Sequence, residues 1–212
     1  MASDEEMWFR NKLSQWGDDN LRSFPWRTTT DPYEILVAEV LLQKTAAEKV
    51  EPIYEHLLAA YPSPAALVDA DREDIAEIIY SLGFQNQRSR ALVEIGRELE
   101  DDGVPTSRGA LLELPYIGQY ATNATLCFAF GEVRPIVDAN VVRVYNRFFD
   151  TDFEYRDEEA WQFAARMLPE TDVGTFNLAL LDFAATICTP RTPACEECFL
   201  RGYCDYYRQQ RE

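Results

Sequence analysis

Residues 114–143 read LPYIGQYATNATLCFAFGEVRPIVDANVVR, and the order of features along them decides the fold. Leu114-Pro115-Tyr116-Ile117-Gly118 leaves room only for a tight turn between two helices. Proline stops the first helix and Gly118 opens the second. From Tyr120 to Phe130 the chain is apolar with helical spacing, and Gly131 ends the run. The apolar Pro135-Ile136-Val137 then delivers Asp138 to the start of another helix, which runs to Phe149. A turn of this kind exposes backbone N–H groups at a helix N-terminus, where they bind phosphate without side-chain charge. An ordinary helix–helix turn reads the same way. Asp138 also has two readings. It is a plain N-cap, or it is a carboxylate at the mouth of a cleft that stabilises a cationic sugar or orients water.

Helical signals continue on both sides. Upstream, Trp8 to Trp16 is a first helix, followed by the Phe24-Pro25-Trp26-Arg27 turn. Asp31-Pro32 and Ser63-Pro64 each pair an N-cap with proline at the first helical position. Asp71 caps a stretch to Tyr80 that Gly83 ends, and Gln85 to Leu99 keeps helical periodicity. Thr106 or Ser107 starts a short helix that stops at Pro115. Downstream, Asp157 to Leu168 and Thr175 to Ile187 are two more helices. Almost nothing alternates with period two, so the expected fold class is all-α.

Cys188, Cys195, Cys198 and Cys204 follow, spaced C-x6-C-x2-C-x5-C. Thiols this close in a cytosolic chain bind metal rather than pair as disulfides. Four thiolates suit zinc or an iron–sulfur cluster. Zinc ribbons pair two C-x2-C knuckles and only one is present, so the spacing favours the cluster. Cys127, set among Leu126, Phe128, Ala129 and Phe130, reads as a small core residue.

The 212 residues are 47% hydrophobic, enough to bury a core in one large or two interleaved domains. No run of 18 apolar residues occurs, and the acidic start, Met1 to Glu6, lacks the apolar region of a secretory signal. The expectation is a cytoplasmic protein with no membrane partner. The net charge of −17 argues at first sight against nucleic acid. The cations, however, are nearly all arginine, with lysine only at Lys12, Lys44 and Lys49. Such a balance reads as halophile adaptation, because a Debye length of about 3 Å near 1 M salt screens repulsion from DNA. A merely solvated acidic surface gives the same composition.

Hairpin, aspartate and cysteines in this order resemble the helix-hairpin-helix DNA glycosylases of the endonuclease III and MutY group, over Phe24 to Tyr207. That resemblance implies two lobes. Residues 30–137 would form a six-helix module carrying the hairpin, and 1–29 with 138–212 a lobe holding a [4Fe-4S] cluster on the four cysteines. Double-stranded DNA with a mismatch would bind across the cleft between them. The lyase members of the group carry a lysine after the hairpin. Tyr120 stands there in LPYIGQY, and a phenol cannot form a Schiff base. Tyrosine at this place is similar to the mismatch-specific thymine glycosylases of the Mig type. So are Gly83 to Arg88 and the Ile187-Cys188-Thr189-Pro190-Arg191 approach to the cluster. Ala38 to Leu42 resembles the segment with a pocket glutamate, here Glu39.

The implied activity is therefore monofunctional excision of thymine, and of uracil, opposite guanine. The alternative is a MutY-type adenine glycosylase acting on A·G or A·8-oxoguanine. The implied catalytic set is Asp138, Tyr120 and Glu39, with Asn140 orienting Asp138. DNA contacts fall to Tyr116, Ile117 and Gly118 of the hairpin, with a monovalent cation beside them, and to Gln43 and Lys44 as the wedge. Gln87, Asn140 and Arg143 complete that set, while Arg191 and Arg201 lie in the cysteine loop. The group acts as monomers. One departure stands out: Tyr116 replaces the first hairpin glycine, and a positive φ there would strain it.

Overall fold

The computed structural model describes residues 3–211; Met1 and Ala2 of the N-terminal segment and Glu212 lie outside it. All regular structure among the described residues is helical, in agreement with the all-α reading. None of these helices is long and apolar enough to cross a membrane. The chain divides into two compact units. One is Ser23–Glu132, and the other joins the described residues of Met1–Arg22 and Val133–Glu212.

The unit Ser23–Glu132 opens on a 3-10 turn, Pro25–Arg27, in which Phe24 stacks on Trp26 with ring centres 4.9 Å apart. Seven helices follow: α2 (Pro32–Leu42), α3 (Ala47–Ala60), α4 (Pro64–Val68), α5 (Arg72–Ile78), α6 (Gln85–Leu99), α7 (Arg108–Glu113) and α8 (Gln119–Phe130). Side-chain caps set several of their starts. Asp31 accepts from the N–H groups of Tyr33 and Glu34 at 2.8 and 3.3 Å, ahead of Pro32. Asp71 accepts from Glu73 at 2.8 Å, and Ser107 from Ala110 at 3.3 Å. Helix α2 is buried on every side from Ile35 to Leu41 and packs against α3, α6 and α8. It is the centre of this core. Gly96 lets α6 approach α4, since a Cβ there would stand 2.7 Å from Leu67 Cβ.

The other unit holds α1 (Asp4–Asn20), α9 (Ala139–Phe149), α10 (Glu158–Met167), α11 (Val173–Thr186) and α12 (Asp205–Gln209). Helix α1 is longer than its apolar stretch announces. Ser3 accepts from Glu6 N at 3.1 Å while Glu6 accepts from Ser3 N at 2.8 Å, a reciprocal cap that starts the helix early. At its far end, Arg22 Nε meets the fully buried Asp182 of α11 at 2.7 Å. Phe9, Tyr145, Phe148, Phe149 and Phe163 fill the centre with edge-on and tilted rings.

Candidate functional site

The hairpin joins α7 to α8. Ile117 N donates to Leu114 O at 3.3 Å, and Tyr116 turns the chain at φ +64. The strain foreseen for a tyrosine at this position is therefore present. Gly118 is the N-cap of α8, and no side chain caps that end. Nothing lies within 4 Å of where a Gly118 Cβ would be, so the first amides of α8 stay open to an anion. Tyr120 follows in the first turn, half-buried.

Glu39 sits on α2, which packs against α8. Only 6% of it is exposed, and burial pushes its carboxyl up to about 8, with the Arg27 charge pulling the other way. Its carboxyl therefore favours the protonated form at neutral pH. Gln43 and Lys44 lie in the loop after α2. Gln43 Nε2 donates to Tyr116 O at 3.2 Å, joining the loop to the hairpin. Lys44 takes φ +57 and holds its ammonium 5.7 Å from the Phe84 ring centre. Gln87 is exposed in the first turn of α6. Arg88, one residue on, is buried and donates to both neighbouring segments; the sequence reading gave it no role. The available signal was an arginine in register with Leu92, Ile95 and Leu99 on the apolar stripe of α6.

In the other unit Asp138 caps α9. One carboxylate oxygen accepts from Asn140 N and Val141 N, both at 2.8 Å, and the second from Asn140 Nδ2 at 2.7 Å. Three N–H donors suit a group that only accepts. Asn140 Oδ1 in turn accepts from Arg143 Nη1 at 2.8 Å. Arg143 also donates to Cys188 O at 3.0 Å and Ala184 O at 2.9 Å, so its side chain buttresses the cysteine loop. Arg147, which the sequence reading passed over, lies one turn on. It donates to Thr189 O at 2.7 Å and Pro190 O at 2.9 Å, and its guanidinium lies 4.7 Å from the Tyr206 ring centre.

The four expected cysteines come together. Cys188, Cys195, Cys198 and Cys204 line one hollow, partly open to solvent and walled by Val144, Phe148, Phe183 and Leu200. Burial pushes the Cys198 thiol up to about 11 and raises Cys195 and Cys204, and the neighbouring thiols add to each. A cation shared among them is the natural compensation. Among the described residues no three His, Cys, Asp or Glu gather at one point fit for a single ion. Four cysteines lining one hollow fit the thiolate ligand set of an iron–sulfur cluster.

This helical architecture, with a hairpin and a cysteine loop, matches known proteins. Residues 37–169 match the model of the HhH-GPD superfamily base excision DNA repair proteins, and residues 188–204 the iron-sulfur binding domain of endonuclease III. The chain belongs to the HhH-GPD superfamily and carries an iron–sulfur binding domain like that of endonuclease III. It is similar to a thymine/uracil-DNA glycosylase of Methanothermobacter thermautotrophicus, 40% identical across 93% of this chain and 91% of that one. A thymine-DNA glycosylase of Aeropyrum pernix is 37% identical, covering 93% of each chain. Among solved structures, a thermostable thymine-DNA glycosylase superposes with a TM-score of 0.92 at 37% identity over 97% of both chains.

Proposed function

We propose that the chain is a monofunctional DNA glycosylase that removes thymine, and uracil, mispaired with guanine and leaves the abasic strand uncut. The observation that carries this reading is Tyr120 in the first turn of α8, directly after the hairpin, where an amine would be needed for strand cleavage. Likeness to thymine and uracil glycosylases along nearly the whole chain supports the base preference.

In this reading a mispair opens at small cost and the base leaves the stack. The first amides of α8 grip a backbone phosphate, with a monovalent cation at the hairpin. Gln43 and Lys44 enter the gap. The bond from C1′ to the base nitrogen breaks and its electron pair leaves with the base. Asp138, fixed by three N–H donors, faces the cationic sugar and orients the water that adds at C1′ and sheds a proton. Glu39, protonated up to about 8, donates to the departing base. Cys188, Cys195, Cys198 and Cys204 would hold a [4Fe-4S] cluster, which would cross-link the loop that Arg143 and Arg147 brace. The enzyme acts as a monomer on duplex DNA.

The test is excision from G·T, G·U, A·G and A·8-oxoguanine duplexes side by side, at low salt and near 1 M potassium chloride. G·T and G·U should be cut at the base alone, with nicking only after alkali. Asp138→Asn should slow excision on the order of a thousand-fold while keeping affinity. Adenine as the sole product, or nicking without alkali, would overturn the assignment. A rate indifferent to salt would remove the salt-adapted reading.

A further inference from the structure

Arg88 is 4% exposed on the apolar face of α6, yet none of its partners is a carboxylate. Nη1 donates to Leu82 O at 3.0 Å and Gly83 O at 2.8 Å. Nη2 donates to Gln43 O and to Thr45 Oγ1, the latter at 2.7 Å. One planar fork thus knots the loop after α2 to the turn before α6, and a lysine ammonium, a single point, would not span both. Each knotted segment holds a bulky residue in the left-handed region, Lys44 at φ +57 and Phe84 at φ +52. Gln43 extends the knot to Tyr116, a third such residue, through its 3.2 Å bond. Conformations of this kind persist only where the surroundings over-determine them. What they present is consistent: Phe84 is 59% exposed with the Lys44 ammonium beside its ring, an apolar wedge with a cation next to it.

We propose that Arg88 is a positioning residue for base extrusion, locking the Gln43–Thr45 loop and the Leu82–Phe84 turn into one rigid platform that presses into an opening duplex. The proposal rests on the glycosylase reading above. A side chain can prise stacked bases apart only if its support does not yield, since the stack pushes back. Without the fork, Lys44 and Phe84 relax to ordinary backbone conformations and retract. Affinity, which comes largely from phosphate contacts, is spared.

The experiment uses the full chain and a G·T duplex whose thymidine carries a 2′-fluoro group against excision, with 2-aminopurine beside the mispair to report opening. Anisotropy gives Kd, and single-turnover excision on the unmodified duplex gives the rate. Arg88→Met should abolish the fluorescence rise and slow excision on the order of a hundred-fold, with Kd within about three-fold. Arg88→Lys should recover only a fraction of the rate. Thr45→Val removes one acceptor, should cost about five-fold in rate by partial misplacement, and decides the matter if the Met variant does not fold. Wild-type opening and rate in the Met and Val variants would overturn the proposal. So would rate, affinity and melting temperature falling in step, which is mere destabilisation. A wild-type chain that neither opens nor excises G·T duplex defeats the glycosylase reading and this proposal with it.

Discussion

The two units hold their irregular segments in opposite ways. In the unit with the cysteines, the stretch from Cys188 to Cys204 has one 3-10 turn, Cys195–Glu197, and is braced by arginine bonds to carbonyls at Cys188, Thr189 and Pro190. Its left-handed non-glycine residues are Asp150 and Asp172, a residue type that tolerates this region. In the unit with the hairpin, the loops rest on a continuous apolar core around α2, and the left-handed residues are Lys44, Phe84 and Tyr116, which do not tolerate it well. One unit braces a relaxed loop with arginine side chains. The other uses packing to hold strained ones, and two of these, Lys44 and Tyr116, are expected DNA contacts.

Removing the cluster should break this contrast most strongly. Metal at structural thiolate sites contributes on the order of 10 kcal/mol to folding. Cys198→Ser, in the most deeply buried of the shifted thiols, should therefore cost the cysteine unit most of its order. Amide exchange, followed residue by residue, should lose protection across α9, α11 and α12. Protection in α2 and α8 should persist, because their core holds no cluster ligand. Equal loss in both units would mean that the hairpin unit also depends on the cofactor.

A smaller effect separates burial from strain inside the hairpin unit. Glu39 is raised from 4.5 to about 8. Between those values the folded chain keeps a proton that the unfolded chain has released. Stability therefore falls as pH rises through that window, by at most about 1.4 kcal/mol per unit, and levels off above about 8. Urea midpoints should show this slope in wild type and lose it in Glu39→Gln. Single-turnover excision should decline above about 8 in wild type, as the proton donor is lost. A wild-type midpoint that is flat from pH 5 to 8 would place Glu39 in water instead.

What the sequence disclosed follows from where the physics is local. Caps are local, so Asp31-Pro32, Ser63-Pro64, Asp71, Ser107 and Gly131 marked true helix ends, and Gln85–Leu99 was bounded correctly from periodicity. Helix α3 offered no such mark: Ala46 makes no side-chain cap and Pro52 lies inside the helix. Packing against α2 and α5 holds it there. The cysteines were legible because a cluster dictates spacing. Arg88 and Arg147 were not, because each satisfies carbonyls that are remote in sequence, at Gln43 and at Thr189 and Pro190. An arginine reads as surface charge until the fold supplies its acceptors.

The hairpin offers the finest test of the contrast. Tyr116 stands at φ +64, where a Cβ crowds the following carbonyl oxygen at a cost of about 1 kcal/mol. Replacing it by glycine alone mixes two effects, since glycine relieves that strain but also widens the freedom of the unfolded chain by a similar amount. Comparing Tyr116→Gly with Tyr116→Ala cancels the loss of the phenol, common to both, and leaves the crowded Cβ of alanine set against the freer unfolded chain of glycine. The glycine variant should be more stable than the alanine variant by up to about 1 kcal/mol, read as a higher urea midpoint at an unchanged slope. At Asp150, in the other unit, glycine should gain less over asparagine, which accepts the left-handed region through local hydrogen bonding. A glycine advantage of equal size at both positions would mean that strain is not concentrated on the hairpin side.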